Sequence, residues 1–269
     1  DAGADIDPHG SGVEPLIELV LGESKTDALD FFVANKANLN AVDKEGWIPV
    51  ATAIAWGRPH LAAVLLENGA DPNAKSTRTP LQAAIQRNAN ELVPLLIARG
   101  ADVNFTSDTG NAPLTLAVAK HDFAMCQLLL EHGADPDVAK HDGWTALFEA
   151  ADTGNLELAR LLVEHGADVN KRQADGWTPF HMAVMAGHKD VLDYLLGKKP
   201  DGLLLLTNTK STLLHTAARN GRTDLVTFLI GRGLDINARE DGGKSPLGLA
   251  IEGRHGETVQ VLRGAGATK

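Results

Sequence analysis

The apolar positions from Ala146 to Gly166 fall into two short runs. Leu147, Ala150 and Ala151 recur at intervals of three and four, and after Gly154-Asn155 the same spacing returns at Leu158, Leu161, Leu162 and Val163. That periodicity predicts two amphipathic helices. The Gly-Asn pair ends the first, and Gly166 closes the second in a backbone conformation that glycine adopts at little cost. Polar residues with turn chemistry precede the first helix, from Asp142 to Thr145, and Asp168 to Asn170 follow the second. Asp142 to Asn170 therefore predicts helix, turn, helix and loop.

The same order of residue types returns at "DGWTPFHMAVMAGHKDVLDYLL", which starts at Asp175. A position that is usually proline tracks the repetition: Pro15, Pro49, Pro80, Pro113, Ala146, Pro179, Leu213 and Pro246, at steps of 34, 31, 33, 33, 33, 34 and 33. The loops give a second ruler, with "GADPN" at Gly69, "GADVN" at Gly100 and Gly166, "GADPD" at Gly133 and "GLDIN" at Gly233. Two independent markers at one period predict a repeat array. The units run over about 8–40, 41–73, 74–104, 105–137, 138–170, 171–206, 207–237 and 238–269, with residues 1–7 as the tail of an upstream repeat. At the start of each unit, Thr79, Thr178 or Ser245 is placed to accept a hydrogen bond from an orphan amide, and the proline after it loses no helical bond. One pair of short helices cannot cover its own apolar face, so the units must stack. The expected fold is all-α: one elongated solenoid of sixteen repeat helices.

The pattern carried by these motifs resembles the ankyrin repeat, and the resemblance covers essentially the whole chain. It implies a binding module that meets a protein or peptide partner on a concave face of hairpin tips and first helices. Carried onto this chain by alignment, the residues pointing to that face include Trp47, Trp56, Arg78, Arg87, Asn111, Lys120, Trp144, Asp152, Trp177, Met185 and Arg219. Gln86 belongs to the same set. It also implies that His181 and His215 hold loops through hydrogen bonds.

Composition narrows the alternatives. The net charge is −10, and neither a basic stripe nor an arginine-rich segment is present, so nucleic acid is not an expected partner. No apolar run approaches the ~20 residues of a membrane span. The single cysteine, Cys126, reads as a small buried hydrophobe and points to a reducing compartment, hence a cytoplasmic location. The chain starts at Asp1 without Met and reads as part of something longer, monomeric as it stands.

Catalytic chemistry finds no support in the sequence. The ten histidines form no metal-binding pattern, and no nucleophile elbow, phosphate loop or dinucleotide motif occurs. No enzyme activity, cofactor or metal is expected. His132 and His165 read as solvated, and the loop residues Asn73, Asn104, Asn170 and Asn237 as binding local backbone.

All four tryptophans fall on the outward set. Each ring either anchors a partner or lies across its own hairpin, and the sequence leaves both open. Trp47 and Trp56 lie beside Arg78, Gln86 and Arg87 of the next unit, which suits an acidic or aromatic-stacking segment. Trp144 and Trp177 are joined by Met185, with Asp152 between them, which suits an apolar anchor beside a basic residue. Three departures stand out: a loop two residues short at Asp71 to Arg78, Pro94 in the first turn of a second helix, and "GKKPDGLLLLTNTKS" at Gly197 to Ser211. Its leucines, Leu203 to Leu206, are expected to pack onto neighbouring loops, with a binding patch or a cleft as alternatives. Two other roles for the array are a substrate-recruiting part of a larger enzyme or effector, and a structural spacer in a scaffold or channel.

Overall fold

The computed structural model describes residues 21–22, 26–42, 46–74, 78–107, 110–140 and 142–268. Among them stand fifteen α-helices and no strand. Leu21 and Gly22 are helical; the rest of the first expected helix, with Pro15, lies outside the described residues, as does the tip of the short loop at 75–77. By contacts the chain divides into two compact units, Asp1–Ala134 and Asp135–Lys269.

In the first unit the helices are α1 (Thr26–Ala34), α2 (Pro49–Ala55), α3 (Pro59–Glu67), α4 (Pro80–Arg87), α5 (Val93–Ala98), α6 (Pro113–Ala119) and α7 (Phe123–Glu131). The hairpin pairs are α2 with α3, α4 with α5 and α6 with α7; first helices stack α2 on α4 and α4 on α6, and α3 meets α5. In the second unit α8 (Ala146–Thr153), α10 (Pro179–Ala186), α12 (Leu213–Arg219) and α14 (Pro246–Glu252) are first helices, and α9 (Leu156–Glu164), α11 (Lys189–Lys198), α13 (Thr223–Gly231) and α15 (Gly256–Gly264) are their partners. There α8, α10, α12 and α14 stack in order.

The helices stack because two columns of apolar residues recur at the period of the chain. Ala53, Ala84 and Ala117 in one unit, and Ala150, Ala183, Ala217 and Ala250 in the other, have no exposed surface. A side chain of one carbon at these positions lets first helices approach closely. Leu65, Leu96 and Leu129, then Leu162, Leu195, Leu229 and Leu262, form the matching column in the second helices, also without exposed surface. Burying each such leucine contributes roughly 2 kcal/mol.

Helix starts follow the sequence with one correction. Thr79 Oγ1 accepts from the Gln82 amide, and the Gln82 side chain accepts from the Thr79 amide at 3.1 Å, completing a capping box. Ser245 Oγ accepts from the Gly248 amide at 3.2 Å. Thr178 does not cap an amide: its hydroxyl pairs at 2.8 Å with Nδ1 of His181, three residues on. Pro94 lies in the first turn of α5, as expected, behind a 3₁₀ turn at Asn90–Leu92.

The side chains of Asn40, Asn73, Asn104 and Asn237 bond between repeats rather than locally. Asn73 accepts from the Asp102 amide and donates to the Gly100 carbonyl, both at 2.7 Å. Asn40 accepts from the Asp71 amide at 2.8 Å, Asn104 donates to the Gly133 carbonyl at 3.0 Å, and Asn237 accepts from the Thr268 amide at 2.8 Å. Asp137 holds the equivalent position and accepts from the Asp168 amide at 3.0 Å, but as a carboxylate it has no N–H to return.

Candidate partner-binding surface

Among the described residues, the hairpins before α6, α8, α10, α12 and α14 are closed by the same pair of bonds. In the second unit Lys140 N–H donates to the Trp144 carbonyl and Gly143 N–H to the Lys140 carbonyl; Gln173, Gly176 and Trp177 repeat it, and so do Glu240, Gly243 and Lys244. In the first unit Ser107, Gly110 and Asn111 do the same. The turn needs a left-handed residue, supplied by Gly143 (φ 82°) and Gly176 (φ 80°), and once by Lys210 (φ 57°). Residues just after that turn are therefore held in equivalent positions, including Asn111, Trp144 and Trp177.

The first unit brings several of the expected residues together. Trp47, Ala51 and Ala55 of one repeat and Arg78, Ala83, Gln86 and Arg87 of the next line one open recess, with about 350 Å³ of empty space including solvent. Trp47 is 39 % exposed. Arg78 Nη1 donates to Gln86 Oε1 at 2.5 Å, so the two side chains form one wall. The recess exists because Ala51 occupies the position that His181 and His215 hold in later repeats. A ring there would fill the space beneath Trp47. Ala51 and Ala83 were not among the expected residues, and the signal for Ala51 was an alanine where two later repeats carry histidine.

Other expected residues stand elsewhere. Trp56, 49 % exposed, does not line the recess: its ring lies against Gly22, and the Arg58 guanidinium sits 5.6 Å from the ring centre. Asn111 is half-buried, and its carbonyl accepts from Gln82 Nε2 at 2.7 Å. Lys120 is exposed, and its amine donates to Asn88 Oδ1 at 2.6 Å.

In the second unit the tryptophans are half-buried. Trp144 Nε1 donates to Glu149 Oε2 at 3.0 Å, and its ring centre lies 5.7 Å from that of Phe148. Trp177 meets His181 edge-on at 5.7 Å. Each ring thus covers its own hairpin and helix start. Asp152 and Met185 are half-buried, and their carbonyls accept from His188 Nε2 at 2.9 Å and from Arg222 Nε at 2.8 Å. Arg219 pairs with Glu240 at 2.9 Å.

Histidine roles divide by position. His215 Nε2–H donates to the Lys244 carbonyl at 3.1 Å, leaving Nδ1 to accept from the Thr212 hydroxyl at 2.8 Å; burial lowers its pKa. Burial pushes His181 down to about 4. His132 and His165 are exposed, and each ring also binds the carbonyl four residues back, at 2.8 and 2.9 Å. Phe148 stands where His181 and His215 stand in their repeats, and with no ring nitrogen there Thr145 Oγ1 is buried without a partner among the described residues. Cys126 is buried, and burial raises its thiol pKa to about 12, which removes it from nucleophilic chemistry. Among the described residues no group of three His, Cys, Asp or Glu could hold a metal ion, and no helix is long and apolar enough to cross a membrane.

A bundle of stacked helix pairs closed by hairpins and bonded loop to loop is the architecture of a repeat protein. The chain belongs to the ankyrin-repeat family: the model for ankyrin repeats (3 copies) matches residues 73–140, 114–203 and 200–269, more than half of the chain. Repeats of this family are protein-interaction modules.

Among curated proteins the chain is similar to human BCL-6 corepressor-like protein 1, 33 % identical over 85 residues, which is 32 % of this chain and 5 % of that protein. It is also similar to the mouse B-cell lymphoma 3 protein homolog, 33 % identical over 31 % of this chain and 19 % of that protein. A third similarity, to the glycerophosphocholine phosphodiesterase gde1 of Schizosaccharomyces pombe, is 34 % identical over 27 % of this chain and 7 % of that protein. The matched stretch is thus a small part of each relative.

Proposed function

We propose that this chain is a non-catalytic recognition module that binds a protein or peptide on the side formed by its hairpins and first helices. The observation that supports the reading is the recess under Trp47, where a large ring stays 39 % exposed over a floor of alanines. An exposed tryptophan beside a concavity offers a large contact area at little cost in rotamer entropy. Trp56 extends the same repeat's exposed aromatic surface. The test is affinity capture from the source cell with the whole chain, run beside a Trp47→Ala/Trp56→Ala variant of unchanged urea midpoint. A protein retained by the first and lost by the second is expected; equal retention by both would refute this surface.

A second reading has one observation in its favour, the similarity to a phosphodiesterase over 7 % of that enzyme's length. In it the same surface recruits a substrate for chemistry carried by another part of a longer polypeptide. The capture experiment serves both, because the retained protein would then be changed by the full-length protein and not by these repeats.

A further inference from the structure

Two cations on the hairpin and first-helix side of the second unit are neutralised by carboxylates: Arg219 pairs with Glu240 at 2.9 Å, and Lys244 with Glu252 at 2.8 Å. In the first unit Lys120 bonds to a neutral amide, Asn88 Oδ1, at 2.6 Å. Arg87 is exposed at the rim of the recess and makes no ion pair among the described residues. An amide fixes the direction of a cation without cancelling its charge. Among the described residues no carboxylate lines the recess, although the chain as a whole carries a net charge of −10. The positive charge is therefore local, and its placement beside an apolar floor is specific.

From this arrangement we propose that the partner presents a short acidic segment with an apolar side chain among its carboxylates. The apolar group enters the recess against Trp47, Ala51 and Ala83; the carboxylates meet Arg87 at the rim and Lys120 on the next repeat. The proposal rests on the protein-binding reading above and specifies its chemistry. Arginine suits the rim, since its planar fork can hold a carboxylate through two parallel bonds. Net charge opposes a long polyanion, but screening over about 8 Å at physiological ionic strength confines what a short segment feels to its immediate neighbours. An acidic peptide is thus favoured over nucleic acid.

The experiment selects random displayed peptides of about twelve residues on the whole chain, and in parallel on Arg87→Glu/Lys120→Glu. Both positions are exposed, and equal urea midpoints show that the variant folds. Peptides enriched on the unaltered chain are expected to carry Asp or Glu flanking a Leu, Phe or Trp. Their affinity is expected to fall at least tenfold in the charge-reversed variant, and to weaken on Trp47→Ala. Enriched peptides without acidic residues, or acidic ones that bind the charge-reversed variant equally, would overturn the proposal and leave the protein-binding reading standing. Failure to enrich any peptide on either protein would count against the protein-binding reading itself. A milder variant, Arg87→Gln/Lys120→Gln, separates loss of attraction from new repulsion: its affinity must fall between the other two.

Discussion

At the scale of single residues, burial decides the roles of His181 and of the tryptophans. His181 has no exposed surface, and its pKa is lowered to about 4 from an ordinary 6.5, first by that burial. The unfolded chain takes up this proton below pH 6.5 and the folded chain only near pH 4, so the unfolded state binds more protons between those values. Stability is therefore expected to fall as pH drops from about 6.5 to 4, by up to roughly 3 kcal/mol from this group. Urea midpoints at pH 7 and pH 4.5 measure it. His181→Gln should flatten that dependence, with a side chain of the kind that completes a capping box at Gln82. An unchanged pH slope in the variant would show that the acid sensitivity lies elsewhere.

The tryptophans divide by the same logic. Trp144 is half-buried and bonded to Glu149, and Trp177 is half-buried against His181. Trp144→Ala with Trp177→Ala is expected to cost about 2 kcal/mol or more of stability, since each truncation removes partly buried ring surface. Trp47→Ala, on a ring 39 % exposed, should cost less than about 1 kcal/mol. Should the double variant keep its midpoint and instead lose affinity for a captured partner, the rings would be anchors rather than covers.

At the scale of elements, the inserted stretch after α11 shows how one departure from the repeat is absorbed. Residues Pro200–Leu204 form a 3₁₀ turn, and Gly202 rests on the Phe180 ring so closely that a Cβ there would lie 2.4 Å from Cε1. The leucines were expected to pack on neighbouring loops, and their burial is uneven: Leu203 and Leu205 are half-buried, while Leu204 is 76 % and Leu206 39 % exposed. Gly202→Ala is expected to destabilise by about 1–3 kcal/mol through overpacking. Gly197→Ala, in α11 with open space around the new methyl, should be neutral or stabilise by up to about 1 kcal/mol. Thermal midpoints of the two variants test the pair, and a harmless Gly202→Ala would mean that the turn shifts off the ring.

At the scale of the whole molecule, stability in a repeat protein is close to a sum of unit and neighbour terms. Residues Asp135–Lys269 form a compact unit with its own alanine and leucine columns. A fragment of those residues is expected to keep a helical circular dichroism spectrum and a cooperative urea transition; a featureless, non-cooperative loss of signal would show that its core is insufficient alone. The period and the apolar spacing determined the helix pairs, their starts, the small and large columns and hence the family, because those features are local and recur at every repeat. The resemblance to the ankyrin repeat, carried over by alignment, placed Trp47, Arg78, Gln86 and Arg87 on one side of neighbouring repeats. Tertiary structure alone decided that these four share a recess while Trp56 turns to Gly22, that Asn73 bonds the next loop rather than its own, and that Thr178 serves a histidine instead of an amide. The reason is physical: a repeat pattern fixes which face a side chain leaves from, but its final partner depends on volume and charge contributed by residues about 30 positions away, and an alanine at position 51 is visible as an opening only once the helix beside it is in place.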